Sequence, residues 1–323
     1  MSAVLILGEA DVRRLLPMDE CIDLMAEALA GLERGNLSMP LRSVFRPPGA
    51  RSLMGLMPAY RDGGGGAYGL KAICVFPDNP ARGLDTHQGA VLLFDGETGE
   101  LRAALNASAI TEIRTAAVSA VATRLLARED ARELAILGAG VQARSHVEAM
   151  QAVRDFERVR VWSRTDEHAR VLAEETGATA VATAEEALRG ADVVCATTSS
   201  REPVVRREWL ASGAHVNAVG ASIPSARELD TATMAAASLF VDRRESTLNE
   251  SGDYLLAAEE GAIGPKHIRA ELGELLTGTA QGRTSADELT VFKSLGIAVE
   301  DLAAAEHVVG KARGAGAGVE VLL

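Results

Sequence analysis

The chain has 323 residues, 47% of them hydrophobic but only 3% aromatic, and a formal net charge of −12. That length asks for two domains, or one large domain with a subdomain, around a core of Ala, Leu and Val. The acidic balance argues against nucleic acid and anionic membrane as partners, because both would be repelled. Cys21, Cys74 and Cys195 are few and widely spaced, and read as reduced, mostly buried thiols rather than a disulfide framework. With no Cys-x-x-Cys pair, no His-Glu-x-x-His helix and six scattered histidines, no metal site is expected.

Residues 4–7 form an apolar run that meets Gly8-Glu9, too short and too soon charged for a signal peptide or a membrane span. The expectation is a soluble, cytoplasmic protein. Ile22, Met25, Leu29 and Leu32 then fall at helical spacing over 18–34. Strand-like runs follow at 53–59, 68–76 and 90–94, with 63–66 read as a surface loop. Asp95-Gly-Glu-Thr-Gly99 marks a hairpin turn into 101–105, and an Ala-rich helix is expected from about 110 to 127.

From Glu133 the pattern changes. A short apolar strand ends in Gly138-x-Gly140-x-x-Ala143 and runs directly into a helical segment. This is the context in which glycines allow a tight turn and close approach to a pyrophosphate, whose charge rests on the helix start. Strands are expected at 133–137, 158–162, 178–182, 192–197, 214–219 and 238–241, with helices between them. The alternation predicts an α/β fold with a doubly wound parallel sheet. The last segment reads as helical near 286–311 and ends in a short apolar tail, 319–323, expected as a strand returning to the first domain.

The second strand of such a sheet usually ends in Asp or Glu, which binds the ribose 2′-hydroxyl of NAD. Here it ends in Ser163-Arg164-Thr165. Either Arg164 meets a 2′-phosphate, with the two hydroxyls assisting, or Arg164 is merely solvated and Thr165 caps the next helix. The first reading favours NADP (as NADPH) over NAD. In the early domain Arg42, Lys71 and Arg114 stand beside apolar positions. Lys71 either points to solvent on an alternating strand or is kept there by a small anionic ligand, since an unpaired buried ammonium is costly.

Longer motifs run through the chain. They include Met57-Pro58-Ala59-Tyr60, Gly69-Leu70-Lys71, Thr86-His87-Gln88-Gly89 and Ile110-Thr-Glu-Ile-Arg114-Thr115. Further on stand Gly213-Ala-His-Val-Asn-Ala-Val-Gly220, Arg227-Glu-Leu-Asp230 and Val291-Phe-Lys-Ser-Leu-Gly-Ile-Ala-Val-Glu-Asp301. With these the chain resembles the ornithine cyclodeaminase/mu-crystallin family along nearly its full length. The resemblance implies a homodimer. It also implies a Rossmann NAD(P)-binding domain at 116–307 and an α+β substrate-binding and dimerisation domain formed by 1–115 with 308–323.

Carried over by position, the resemblance implies that Arg42, Lys71 and Arg114 hold a substrate carboxylate and surround the reacting carbon. Thr86, His87, Arg114 and Thr115 would approach the cofactor, although His87 is open to reading as a core histidine. Gly138, Ala139, Gly140, Val141 and Gln142 would bind pyrophosphate, and Ser163, Arg164 and Thr165 the 2′-phosphate. Thr198, Val219 and Lys293 would line the nicotinamide side. One position departs from part of the family. Members that cyclise ornithine, and related alanine dehydrogenases, carry Asp where this chain has Ser222, in Gly220-Ala-Ser-Ile-Pro224. A carboxylate there can take a proton from an amine or water, whereas a hydroxyl without a base is a poor substitute.

The resemblance therefore points to NADPH-dependent reduction of a cyclic ketimine or imino acid to the amino acid, the activity on the mu-crystallin side of the family. The substrate would be a small carboxylate-bearing imine. Two alternatives remain: ornithine cyclodeaminase chemistry with bound NAD, and a non-catalytic protein that binds NADP or a small ligand.

Overall fold

In the computed structural model, which describes residues 3–322, the chain divides into two units. One comprises residues 1–114 and 296–323, the other 115–295. The second crossing falls at 295/296, ahead of the 307/308 expected from the sequence. The reason is that the helix Ala298–Ala315 packs as a whole on the first unit's sheet.

The first unit is built on one eight-stranded sheet. Its strands are β1 (Ala3–Leu7), β2 (Leu37–Ser38), β3 (Ser43–Phe45), β4 (Leu53–Arg61), β5 (Ala67–Val75), β6 (His87–Asp95) and β7 (Leu101–Asn106), joined by a C-terminal strand, Val319–Leu322. The spatial order is C-terminal strand, β1, β7, β6, β5, β4, β2, with β3 also on β4. Only β1–β7 is a parallel pair among these. The expected returning strand is therefore present up to Leu322, antiparallel to β1, while residue 323 lies outside the described residues.

Strand alternation decides where Lys71 points. On β5, Ala67, Gly69, Lys71 and Ile73 are buried, and Tyr68, Leu70, Ala72 and Cys74 are half-buried or exposed. Period two puts Lys71 on the covered face, beneath the helix Ala298–Ala315. That helix comes close: a Cβ on Gly69 would lie 3.0 Å from Leu302 Cδ1. The opposite face is apolar too. Register sets Leu56 beside Ala72, Leu70 beside Leu92 and Tyr60 beside Tyr68, whose rings stand 4.7 Å apart. Two further helices are α1 (Glu9–Leu15) and α2 (Met18–Glu33), the latter burying Ile22, Met25, Leu29 and Leu32 at the expected spacing.

The helix α3 (Ala107–Leu126) carries the boundary between Arg114 and Thr115. The second unit continues with β8 (Glu133–Leu137), α4 (Val141–Gln151), β9 (Arg158–Trp162), α5 (Asp166–Thr176), β10 (Thr179–Ala180), β11 (Val193–Ala196), β12 (His215–Ala218), β13 (Ser238–Val241), β14 (Ile268–Glu271) and β15 (Thr290–Lys293). These strands form an entirely parallel sheet in the order β10-β9-β8-β11-β12-β15-β13-β14. Chain order reverses across β8 and β11, which makes the loops after them the switch point of a doubly wound fold.

Six strands were expected and eight are found. The expected helix at 286–311 is corrected: Thr290–Lys293 is a strand between β12 and β13, and helix begins only at Ala298. The run from Leu289 to Phe292 is buried on both faces of a parallel sheet, so it shows no alternation and passes for a helix face. Gly296, at φ +69°, makes the break. The cysteines are unpaired, Cys21 and Cys195 being buried, and burial pushes both thiols up to about 12. Among the described residues no helix is long and apolar enough to cross a membrane.

Candidate active site

In the first unit, a buried charge cluster forms around Lys71. Its Nζ lies 2.7 Å from Asp301 Oδ2 and 3.4 Å from Thr111 Oγ1. The other oxygen of Asp301 accepts from Arg114 Nε at 3.0 Å, and Arg114 Nη1 donates to Glu300 Oε2 at 2.7 Å. Lys71 and Arg114 are each 3% exposed, and both acids are effectively sealed. Asp301 and Glu300 open the helix Ala298–Ala315, where anions suit the helix dipole, and Glu300 also accepts from Ile297 N.

Arg42 joins this cluster. Its Nη2 donates to Gly296 O at 3.2 Å, and the Arg114 guanidinium packs on the same glycine, where a Cβ would lie 2.3 Å from Nη1. The structure thus brings together Arg42, Lys71 and Arg114, which sequence spacing could not do. Burial lowers the pKa of Lys71 and Asp301 opposes it; with Arg114 and Arg42 adding to the fall, the ammonium stands at about 8. Burial alone would raise Asp301, but the Arg114 and Lys71 cations more than offset it and hold its carboxyl below the usual range. The alternative of a solvated Lys71 is therefore corrected.

Thr86 is half-buried, and its carbonyl accepts from Phe76 N at 2.8 Å. His87 opens β6 with part of its surface exposed, yet burial by the surrounding protein, and then the Lys71 and Arg114 cations, hold its imidazole pKa below the ordinary value. Asp301 and Glu300 were the partners missed in the sequence. The signal was present in the run ending Val299-Glu300-Asp301, two acids on a helix start that is otherwise apolar.

In the second unit, the glycine turn follows β8. Gly138 takes φ +110°, and a Cβ there would lie 2.9 Å from Thr197 O. Gly140 is the N-cap of α4 without a side-chain cap, and a Cβ on it would meet nothing within 4 Å. Glycine is thus demanded at 138 by the protein itself, while the space over 140 is open to a ligand. Ala139 is half-buried, Val141 exposed and Gln142 half-buried at this turn, and Ala143 is fully buried against the sheet. This arrangement fits a pyrophosphate at a helix N-terminus.

At the end of β9, Ser163 is half-buried and Arg164 and Thr165 are exposed. Thr165 is the N-cap residue of α5, yet its side chain makes no cap bond. Its hydroxyl is not used as a helix cap, which removes the argument for the simpler reading of that residue. Thr115 is buried, and its carbonyl accepts from Ser119 Oγ at 3.3 Å. Thr198 and Val219 sit just past β11 and β12, and Lys293 ends β15. Lys293 is completely enclosed, with its ammonium 2.9 Å from Asp253 Oδ2. Ser222 is half-buried, and its N–H donates to Gly220 O at 3.2 Å.

A model of the ornithine cyclodeaminase/mu-crystallin family matches residues 3–316. The chain belongs to this family. The ketimine reductase mu-crystallin of Mus musculus is 42% identical over 286 residues, covering 87% of this chain and 88% of that protein. The Thermococcus litoralis Δ1-pyrroline-2-carboxylate reductase, solved with NADH and L-proline, superposes with a TM-score of 0.95 at 36% identity, covering 98% of this chain and 100% of that one. An archaeal alanine dehydrogenase dimer with bound NAD gives 0.94 at 33% identity over the whole of both chains.

Proposed function

We propose that this family member reduces a cyclic imino acid to the corresponding amino acid, using a reduced nicotinamide dinucleotide. The observation that carries the reading is the sealed ammonium of Lys71, paired with Asp301 and flanked by two guanidiniums. A buried cation costs several kcal/mol unless it is paired, and burial of this kind is found where proton transfer is needed near neutral pH. The similarity to reductases of ketimines and of Δ1-pyrroline-2-carboxylate supports the substrate class.

The first unit binds the acid. Arg42 clamps the carboxylate, and Arg114, fixed by Glu300 and Asp301, adds positive potential. Lys71 gives its proton to the imine nitrogen and regains one from solvent. The dinucleotide, when bound, supplies the hydride that reduces the imine carbon. Alignment is the protein's main contribution, worth up to about 7–11 kcal/mol when two reactants are held in place.

The second unit holds the dinucleotide, with the amides of the turn at 138–142 cradling the pyrophosphate. Ser163, Arg164 and Thr165 favour a 2′-phosphate, and so NADPH, through an exposed guanidinium at a strand end that carries no carboxylate. Ser222 replaces the carboxylate that deamination would require. The nearest acid in sequence, Glu228, has both oxygens engaged by backbone amides. Two copies of the chain would associate through the apolar face of the first unit's sheet, around Leu56, Leu70 and Leu92. Three unpaired cysteines suit a reducing, cytoplasmic setting.

The test is steady-state oxidation of NADPH with Δ1-pyrroline-2-carboxylate, with Lys71→Met as control. Turnover by wild type and its loss in the variant support the reading. An inactive wild type, or a fully active variant, contradicts it.

A further inference from the structure

The turns that follow β11 and β12 are both tied to one side chain. Glu228 is completely enclosed. Its Oε1 accepts from Thr198 N at 2.6 Å and Thr198 Oγ1 at 2.7 Å, and its Oε2 from Gly220 N at 2.6 Å and Ala221 N at 3.2 Å. An ionised carboxylate has about four acceptor sites, and four donors fill them here. Glu228 is itself held from behind, because its N–H and that of Leu229 donate to Asp253 Oδ1 at 2.8 and 3.0 Å. Asp253 in turn faces Lys293.

The node spans three neighbouring strands, β11, β12 and β15, at their carboxyl ends. That edge is where doubly wound sheets receive ligands. Gly220 is required for the tie, since a Cβ there would lie 2.0 Å from Thr198 O and 2.7 Å from Glu228 Oε1. Burial, and then Asp253, raises the pKa of Glu228, while Lys293 and the Thr198 bonds act the other way. Two buried acids share one ammonium. Stability alone would be served as well by apolar side chains of similar volume, so the node calls for another purpose.

We propose that Glu228 is a positioning residue that shapes the turns at Thr198 and Gly220 to receive the nicotinamide half of the dinucleotide. The pyrophosphate is left to the glycine turn after β8 and the adenosine 2′-phosphate to the end of β9, neither of which shares a hydrogen bond with Glu228. The proposal rests on the dinucleotide reading above. A glutamine at 228 would turn an NH2 group toward N–H donors that now meet an oxygen. The turns would lose their fixed shape, while the first βα turn would keep its own.

The experiment titrates full-length wild type and Glu228→Gln with two probes, NADPH and 2′-phospho-ADP-ribose, which lacks the nicotinamide. NADH and ADP-ribose serve as the pair without the 2′-phosphate. The expected result is at least a tenfold loss of NADPH affinity, with 2′-phospho-ADP-ribose unchanged within twofold. Thr198→Val, which removes the hydroxyl donor to Glu228 together with the acceptor for Ser200 N, should show the same split at about threefold and covers the case in which Glu228→Gln fails to fold. Equal weakening of both probes, or no weakening of NADPH, overturns the proposal. A wild type that binds none of the four probes overturns the dinucleotide reading itself, and the proposal with it.

Discussion

Replacing Asp301 with Asn removes the carboxylate that bridges Lys71 Nζ at 2.7 Å and Arg114 Nε at 3.0 Å. Asp301 is the counter-ion that opposes the burial of Lys71, whose pKa stands at about 8 with it in place. An opposite charge at this range shifts a pKa by about 1–3 units, equivalent to about 1.4–4 kcal/mol. In Asp301→Asn the ammonium should therefore titrate between about 5 and 7. At pH 7.5 the charged fraction falls from about three-quarters to a quarter or less, down to under one per cent, so kcat/KM falls from about threefold to over a hundredfold. The assay is the pH profile of NADPH oxidation with a cyclic imino acid, from about pH 4.5 to 9.5. Ionisation of the free imine is common to both proteins, so a moved alkaline limb belongs to the enzyme. The predicted result is a limb near pH 8 in wild type that moves 1–3 units lower in the variant. A limb that stays in place while the folded variant loses activity uniformly across pH would refute the proton-donor role of Lys71.

The two glycines of the β8 turn should separate. Gly138→Ala, at φ +110° with Thr197 O at 2.9 Å, should lower the unfolding free energy by about 1–3 kcal/mol, read by denaturant melts. Gly140→Ala should melt within about 0.5 kcal/mol of wild type and still lose dinucleotide affinity in a fluorescence titration, because its Cβ enters only open space. Arg164→Ala should cost NADPH about tenfold in Kd and leave NADH unchanged, as expected for one charge-assisted contact of about 1.4 kcal/mol. The folded pKa of Lys71, about 8, lies below its ordinary 10.5, so the unfolded chain binds more protons between these values. Unfolding free energy should therefore gain a component that rises from pH 8 to 10.5, which Lys71→Met abolishes.

Much of the fold was legible because its signals are local. The glycine turn at Gly138 and Gly140, the hairpin at 95–99 and the strand at 68–76 each follow from short-range geometry. Strand β15 was not legible, since a strand buried on both faces carries no alternation. The site residues Lys71, Arg42 and Arg114 stood out as cations among apolar neighbours. Their acids did not, because Asp301 reaches Lys71 from a helix 230 positions away and only the folded chain sets the pair at 2.7 Å. Glu228 was hidden for a related reason. The motif Arg227-Glu-Leu-Asp230 stands out in the sequence, but nothing local reveals that its Glu228 collects amides from two strand ends.

Imine reduction by hydride from a dinucleotide, with Lys71 as the proton donor, leaves an isotopic trace in its product. Its most direct measurement is product analysis after incubating the protein with Δ1-pyrroline-2-carboxylate and NADPH deuterated at the transferable position. The expected product is proline carrying one deuterium at the α-carbon, formed one for one with oxidised cofactor, and none from Lys71→Met. Ammonia released from ornithine without added reductant, or tight binding of the imine with no turnover, would contradict it.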